Sequence, residues 1–198
     1  FCACNKVIRS REEKTGDEYL DHLFKEINMV AGLIGRKRTV RQLHWGGGTP
    51  TYFSEEQCRR LFNKLADVFD INLAGEIAIE IDPRTVNRDK LKLLKDLGFN
   101  RMSMGVQDFD AKVQDDINRV QPFEQVREVN AWCREFGFKS VNFDLIYGLP
   151  YQTRETFGKT VTQVIQLKPD RIAMYSFAYV PWLSKPQNKF NLDAIARQ

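Results

Sequence analysis

The stretch Glu76-Ile77-Ala78-Ile79-Glu80-Ile81-Asp82 decides the fold class. Isoleucine occupies every odd position and an acid or alanine every even one. A strand has a side-chain period of two, so one face is wholly apolar and the other acidic. Two more stretches repeat the division. Met102, Met104 and Val106 oppose Arg101, Ser103, Gly105 and Gln107, and Val141, Phe143 and Leu145 oppose Asn142 and Asp144. In a doubly wound sheet covered on both faces, both series would be apolar. A polar face carried through three strands instead predicts a lumen that holds a polar ligand, with helices packed outside. A one-sided sheet with its polar face in solvent is the alternative this pattern leaves open.

Outward from that stretch, helical and strand periods alternate. Helices are expected over 17–34 (Thr15 as cap), from Ser54 through Phe69, and over 88–97, 111–117, 122–136 and 153–167. Ser54-Glu55-Glu56-Gln57 fits a capping box, and Gly98 and Gly137 fit left-handed helix ends. Strands are expected over 41–45, 76–81, 101–106, 140–147 and 171–178. Strands separated by helices imply right-handed crossovers and a parallel sheet. The fold class is therefore α/β, a partial (β/α) TIM-like barrel forming one unit over 1–198. No linker or composition break divides it.

Of 198 residues, 42% are hydrophobic and 28% charged, which excludes disorder. A formal charge of +4, dispersed along the chain, gives no nucleic-acid footprint. No run of 18 apolar residues exists, so no membrane span is expected. The residues before the first helix show no signal-peptide pattern. A cytoplasmic location is expected. The start at Phe1 and the unstopped helical pattern of 192–198 predict a piece of a longer chain, with the first strand upstream. Poorly fixed residues from Phe1 to Arg11, an open backbone edge on strand 41–45 and a tendency to associate are expected in consequence.

With only two histidines, His22 and His44, a His-rich metal site is nearly ruled out. Cys58 and Cys133 lie within helical patterns and are expected to be buried thiols. Cys2 and Cys4 precede the first helix, in the loop that would follow the upstream strand. Close-spaced cysteines there favour iron–sulfur ligation over zinc, although two thiolates cannot close a four-thiolate site.

Functional residues of such barrels lie at the carboxyl ends of strands. Those ends carry Gly46-Gly47-Gly48-Thr49-Pro50, Glu80, Gln107-Asp108, Asp144 with Tyr147-Gly148-Leu149-Pro150, and Ala178-Tyr179-Val180-Pro181. The triple glycine permits close approach of a ligand to backbone, yet it is neither a Walker loop nor G-x-G-x-x-G. Glu80 and Asp144 suit hydroxyl or ammonium groups. Glu80, Gln107 and Asp144 are expected to point into one cavity.

Three motifs, His44-Trp45-Gly46-Gly47-Gly48-Thr49-Pro50-Thr51, Arg101-Met102-Ser103-Met104-Gly105-Val106-Gln107-Asp108-Phe109 and Asp144-Leu145-Ile146-Tyr147-Gly148-Leu149-Pro150-Tyr151-Gln152-Thr153, closely resemble the oxygen-independent coproporphyrinogen III oxidases of the radical S-adenosylmethionine (SAM) superfamily. The resemblance runs from Phe1 to about Gln187. It implies a radical SAM barrel, a [4Fe–4S] cluster and two SAM molecules. It also implies oxidative decarboxylation of coproporphyrinogen III to protoporphyrinogen IX in haem biosynthesis, driven by a 5′-deoxyadenosyl radical. An electron donor such as a flavodoxin-type protein follows from the same likeness.

Residue by residue, the match puts Cys2 on the cluster and Gly47 and Glu80 on the cluster-bound SAM. Phe1, Gly48, Thr49, Gln107, Arg119, Asp144 and Ala178 correspond to the second SAM. Two cluster ligands would lie upstream of Phe1, so residues 1–198 alone are expected to lack the cluster and to be inactive. Alternatives are the related haem chaperone branch and a folded, inert core. Cys4, Asp108 and Ala178-Tyr179-Val180-Pro181 resemble the oxidase rather than the chaperone. Tyr179 and Trp182 either border the tetrapyrrole or pack in the core.

Overall fold

The computed structural model describes residues 13–183 and 185–195. Five strands form one sheet in chain order: β1 Thr39–Trp45, β2 Asp70–Ile81, β3 Arg101–Gln107, β4 Ser140–Tyr147 and β5 Arg171–Ser176. Every neighbouring pair is parallel, and the sheet curls into a half-barrel. The helices are α1 Glu13–Ile34, α2 Glu55–Val68, α3 Arg88–Asp96, α4 Ala111–Asp116, α5 Phe123–Glu135 and α6 Arg154–Gln166.

The apolar series of the strands builds the core as the alternation requires. Ile77, Ile79, Ile81, Met102, Met104, Val106, Val141, Phe143 and Leu145 join one cluster with buried residues of α1, α2, α3, α5 and α6. Each fully buried side chain of this size stabilises the fold by about 1.5–3 kcal/mol. Cys58 and Cys133 belong to this cluster and have no exposed surface; burial pushes their thiols up to about 11 and about 12. Both are inert packing residues, as expected.

Local signals operate where the sequence placed them. Ser54 Oγ accepts from Gln57 N (3.3 Å) and Ser54 N donates to Gln57 Oε1 (3.0 Å), closing the capping box of α2. Gly98 and Gly137 end α3 and α5 with φ of 103° and 71°. Pro122 is the cap of α5 rather than its first residue. Thr15 lies inside α1, which begins at Glu13, so it is not the cap.

β2 starts at Asp70, six residues before the expected 76, because Thr39 and Val40 pair with Asp70 and Ile71 across a register shift. Gly75 makes that shift possible: a Cβ there would stand 2.2 Å from the Arg41 carbonyl oxygen. Conversely, β5 stops at Ser176, short of the expected 178. β1 and β5 are the sheet edges among the described residues, so strand 41–45 has the open side that was anticipated. The anticipated looseness of Phe1 to Arg11 lies outside the described residues.

Candidate functional site

Strand register carries the polar series across the inner face. Glu80 pairs with Ser103 and Ser103 with Asn142, while Gly105 pairs with Asp144 and Asp144 with Ala173. The glycine turn follows β1, whose His44 pairs with Ala78 on the same face.

Glu80 is held at both oxygens. His44 Nε2 lies 3.2 Å from Oε1, and the Gly47 N–H donates to Oε2 at 3.1 Å. Both side chains are about half exposed, at 54% and 45%. A Cβ on Gly46 would stand 2.6 Å from His44 Nε2 and 2.8 Å from Glu80 Oε1, so any side chain there would push on both groups. Gly47 and Gly48 have φ of 78° and 53°, and nothing described lies within 4 Å of the Cβ each lacks. They form an open, exposed shelf beside Glu80. Since the Gly47 N–H already serves Glu80, what Gly47 offers a ligand is its carbonyl and bare Cα. Thr49 follows, half-buried, without a capping bond to the short helical turn Pro50–Tyr52.

Asp144 accepts from Ser103 Oγ (3.0 Å) and Asn142 Nδ2 (2.7 Å). Burial raises its pKa, the two hydrogen bonds and Arg119 oppose the rise, and the Glu80 charge adds to it. Asp144 and Glu80 also raise the pKa of Tyr175 on β5, which marks all three as neighbours in one field.

At the end of β3 the packing is denser. Arg119 Nη2 donates to the Gly105 carbonyl (3.0 Å) and stands 3.4 Å from Asp82 Oδ2, while Nε donates to Gln121 Oε1 (3.2 Å). A Cβ on Gly105 would meet Arg119 Nη2 and Gln107 Nε2, each at 2.8 Å. Gln107 itself turns with φ of 67° where the register of β3 against β4 shifts. Burial lowers the pKa of Arg119 and the Asp82 charge opposes it. Asp82 feels burial most, yet Arg84 hydrogen bonds and the Arg119 charge outweigh it and hold its carboxyl below the usual range. An isolated Arg119 reads as a surface residue; its side chain is only 17% exposed.

Glu80, Asp144, Arg119 and Gln107 thus come together on one face at the carboxyl ends of the strands, beside Gly47 and Gly48. Ala178 lies apart in chain, exposed in the loop after β5, with its carbonyl accepting from Gln187 Nε2 at 3.1 Å. Phe1, Cys2 and Cys4 lie outside the described residues, and no group of three or more potential metal ligands occurs among the described ones. Tyr179 packs against a small cluster around Leu149 and Phe177, whereas Trp182 is 76% exposed and is not a core residue.

Sequence reasoning gave no role to His44, which it quoted only as a motif residue, nor to Tyr175 or Gln121. Parity would have found His44, since Leu43 and Trp45 point to the core on either side. Tyr175 and Gln121 carried no signal of their own. Asp108 was singled out as a motif residue; it has no exposed surface and accepts from Thr160 Oγ1 (2.8 Å), Asp110 N (2.6 Å) and Gln152 Nε2. It ties the end of β3 to α6 instead of facing the lumen.

The donor set fits SAM: two carboxylates for ammonium or hydroxyl groups, one guanidinium for a carboxylate, and a glycine shelf for close approach. The radical SAM superfamily profile matches residues 1–164. The oxygen-independent coproporphyrinogen III oxidase of Synechocystis sp. is 47% identical over 98% of this chain and 42% of its own length. That of Escherichia coli K12 is 47% identical over 96% of this chain and 41% of its own. The solved structure of coproporphyrinogen III oxidase (HemN) from Escherichia coli superposes with a TM-score of 0.93 at 45% identity, covering 99% of this chain and 45% of that one. The chain thus spans less than half the length of the relatives it matches. With the half-barrel and the polar lumen already in place, these likenesses mean that the chain belongs to the radical SAM superfamily.

Proposed function

We propose that this chain is the barrel core of an oxygen-independent coproporphyrinogen III oxidase, which oxidatively decarboxylates coproporphyrinogen III to protoporphyrinogen IX in haem biosynthesis. The observation that carries the reading is the set Glu80, Asp144 and Arg119 around a glycine shelf, in a chain 47% identical over 98% of its length to one such oxidase.

Each residue then has a task that its surroundings suit. Glu80, oriented by His44 and Gly47, accepts from the cluster-bound SAM, with the Gly47 backbone alongside. Gly48, Thr49, Gln107, Arg119, Asp144 and Ala178 hold a second SAM, with Arg119 on its carboxylate and Asp144 on a hydroxyl or ammonium. Cys2 ligates the [4Fe–4S] cluster and Phe1 borders the second SAM. When bound, the cluster and SAM supply the electron and the hydrogen-abstracting radical that the decarboxylations need. Asp108, Gln152 and Thr160 hold the strand ends around them. The electron donor is a flavodoxin-type protein, and the setting is cytoplasmic; no described helix is long and apolar enough to cross a membrane.

The test uses the whole-length protein, reconstituted with iron and sulfide without oxygen. SAM cleavage with a vinyl product from coproporphyrinogen III is expected. Stoichiometric haem binding without product would instead support the chaperone.

A further inference from the structure

Arg119 can grip a carboxylate selectively only if its guanidinium is held in one plane. Its own loop does not explain that plane. Arg119 follows Asn118, whose φ is 52°, in the turn leaving the short helix α4. A loop arginine on such a turn has several open rotamers, and each costs affinity when frozen on binding.

The partner that removes this freedom is Gln121. Its side chain has no exposed surface. The Nε2 amide donates to the carbonyls of Gly105 (3.0 Å) and Val106, and Oε1 accepts from Arg119 Nε at 3.2 Å. Gln121 is fixed in turn by Gln114. Gln114 Oε1 accepts from the Gln121 N–H at 3.0 Å, and Gln114 Nε2 donates to the carbonyls of Gln121 (2.9 Å) and Asp108 (2.8 Å). The two amides therefore form a chain from the buried backbone of β3 to the guanidinium. Donor and acceptor ends of each amide are both used, so neither can flip without losing a bond.

This chain occupies Nε, and the Gly105 carbonyl and Asp82 occupy Nη2. Nη1 has no partner among the described residues. We propose that Gln121 is the positioning residue for Arg119, presenting that free edge of the guanidinium ready-made to a ligand carboxylate. The proposal rests on the assignment of Arg119 to a SAM carboxylate.

The experiment is equilibrium SAM binding by the whole-length, iron-reconstituted protein for wild type, Gln121→Met, Arg119→Lys and the double variant. A second ligand, 5′-methylthioadenosine, has no carboxylate, and thermal midpoints are recorded alongside. Gln121→Met is expected to weaken SAM roughly tenfold, the effect of disordering one charge-assisted contact, and to leave 5′-methylthioadenosine unchanged. Lysine has no Nε–H to be oriented, so the double variant should bind SAM no worse than Arg119→Lys alone. Unchanged SAM binding in Gln121→Met, beside a loss in Arg119→Lys, would overturn the inference and spare the assignment of Arg119. Additive losses, or equal losses for both ligands, would also overturn it, since Gln121 would then act on the fold alone. Unchanged binding in Arg119→Lys would remove the assignment itself. If Gln121→Met does not fold, Gln121→Asn, which keeps a buried amide too short for Nε, is read against the same outcomes.

Discussion

Two glycines at the site, Gly46 just after β1 and Gly105 in β3, do the same job in opposite settings. Each sits beneath charged or polar side-chain ends, His44 and Glu80 in one case, Arg119 and Gln107 in the other. Around Gly46 those ends are about half exposed and can swing aside. Around Gly105 the guanidinium is tied to Gln121 and Asp82, both buried, and has nowhere to go. Close approach alone does not make a position intolerant. What matters is whether the group overhead is free to yield.

The sharpest way to break this comparison is Gly105→Ala in the whole-length protein. It should cost about 1–3 kcal/mol of stability, as overpacking does, and also weaken SAM binding. Denaturant unfolding with a SAM titration measures both, and a change within experimental error would show that Arg119 is loosely held.

Of similar size, but chiefly on ligand binding, is the effect of Asp144→Asn. If Asp144 holds SAM as proposed, the change removes a charge-assisted bond worth about 1.5–3 kcal/mol, so SAM should bind roughly tenfold or more weakly while iron content stays the same. The stability effect has a sign that pH reveals. The folded pKa of Asp144 is raised, chiefly by burial, so its contribution is present below the ordinary carboxylate value of about 3.9 and is lost as pH rises through the folded value. Relative to the variant, the wild type should be favoured in acid, and that advantage should vanish or reverse by neutral pH. Asp82 runs the other way. Its lowered pKa gives stability above about 3.9 that is lost as pH falls through the folded value, so Asp82→Asn should cost most near neutrality. Melting curves from pH 3 to 7 test both signs together.

Gly46→Ala should move the fold by less than about 0.5 kcal/mol, because exposed side chains absorb the clash. Its effect belongs to Glu80, whose displaced carboxylate should weaken SAM binding without a matching drop in melting temperature. Equal damage from Gly46→Ala and Gly105→Ala would erase the contrast between the two ends of the site. The smallest effect is electrostatic: Glu80→Gln should lower the pKa of Asp144, since the Glu80 charge helps to raise it. Carbonyl-carbon NMR of Asp144 reads that shift directly.

How much was legible in the sequence follows from what each residue needs as a signal. Ile77, Ile79 and Ile81 announce the core face by period alone, and the same parity put Glu80 and Asp144 on the other face. Gly98, Gly137 and the Ser54 capping box announce helix ends through local chemistry. The early start of β2 was masked by Gly75: Asp70-Ile71-Asn72-Leu73-Ala74 keeps the parity of the isoleucine series, but a glycine falls where that series calls for an apolar side chain. Only the bulge against β1 and the missing Cβ of Gly75 recruit it.

Arg119 marks the boundary between the two kinds of information. Parallel α/β topology, the apolar and polar faces of the strands, and the rim on which a ligand would sit were determined by the sequence itself, because period and capping are properties of neighbours along the chain. That a loop arginine is 17% exposed, braced by Gln121 and facing Asp82 from another strand end, was decided only by the tertiary structure. Desolvation and hydrogen-bond direction depend on groups distant in sequence, and no local pattern encodes where those groups will meet.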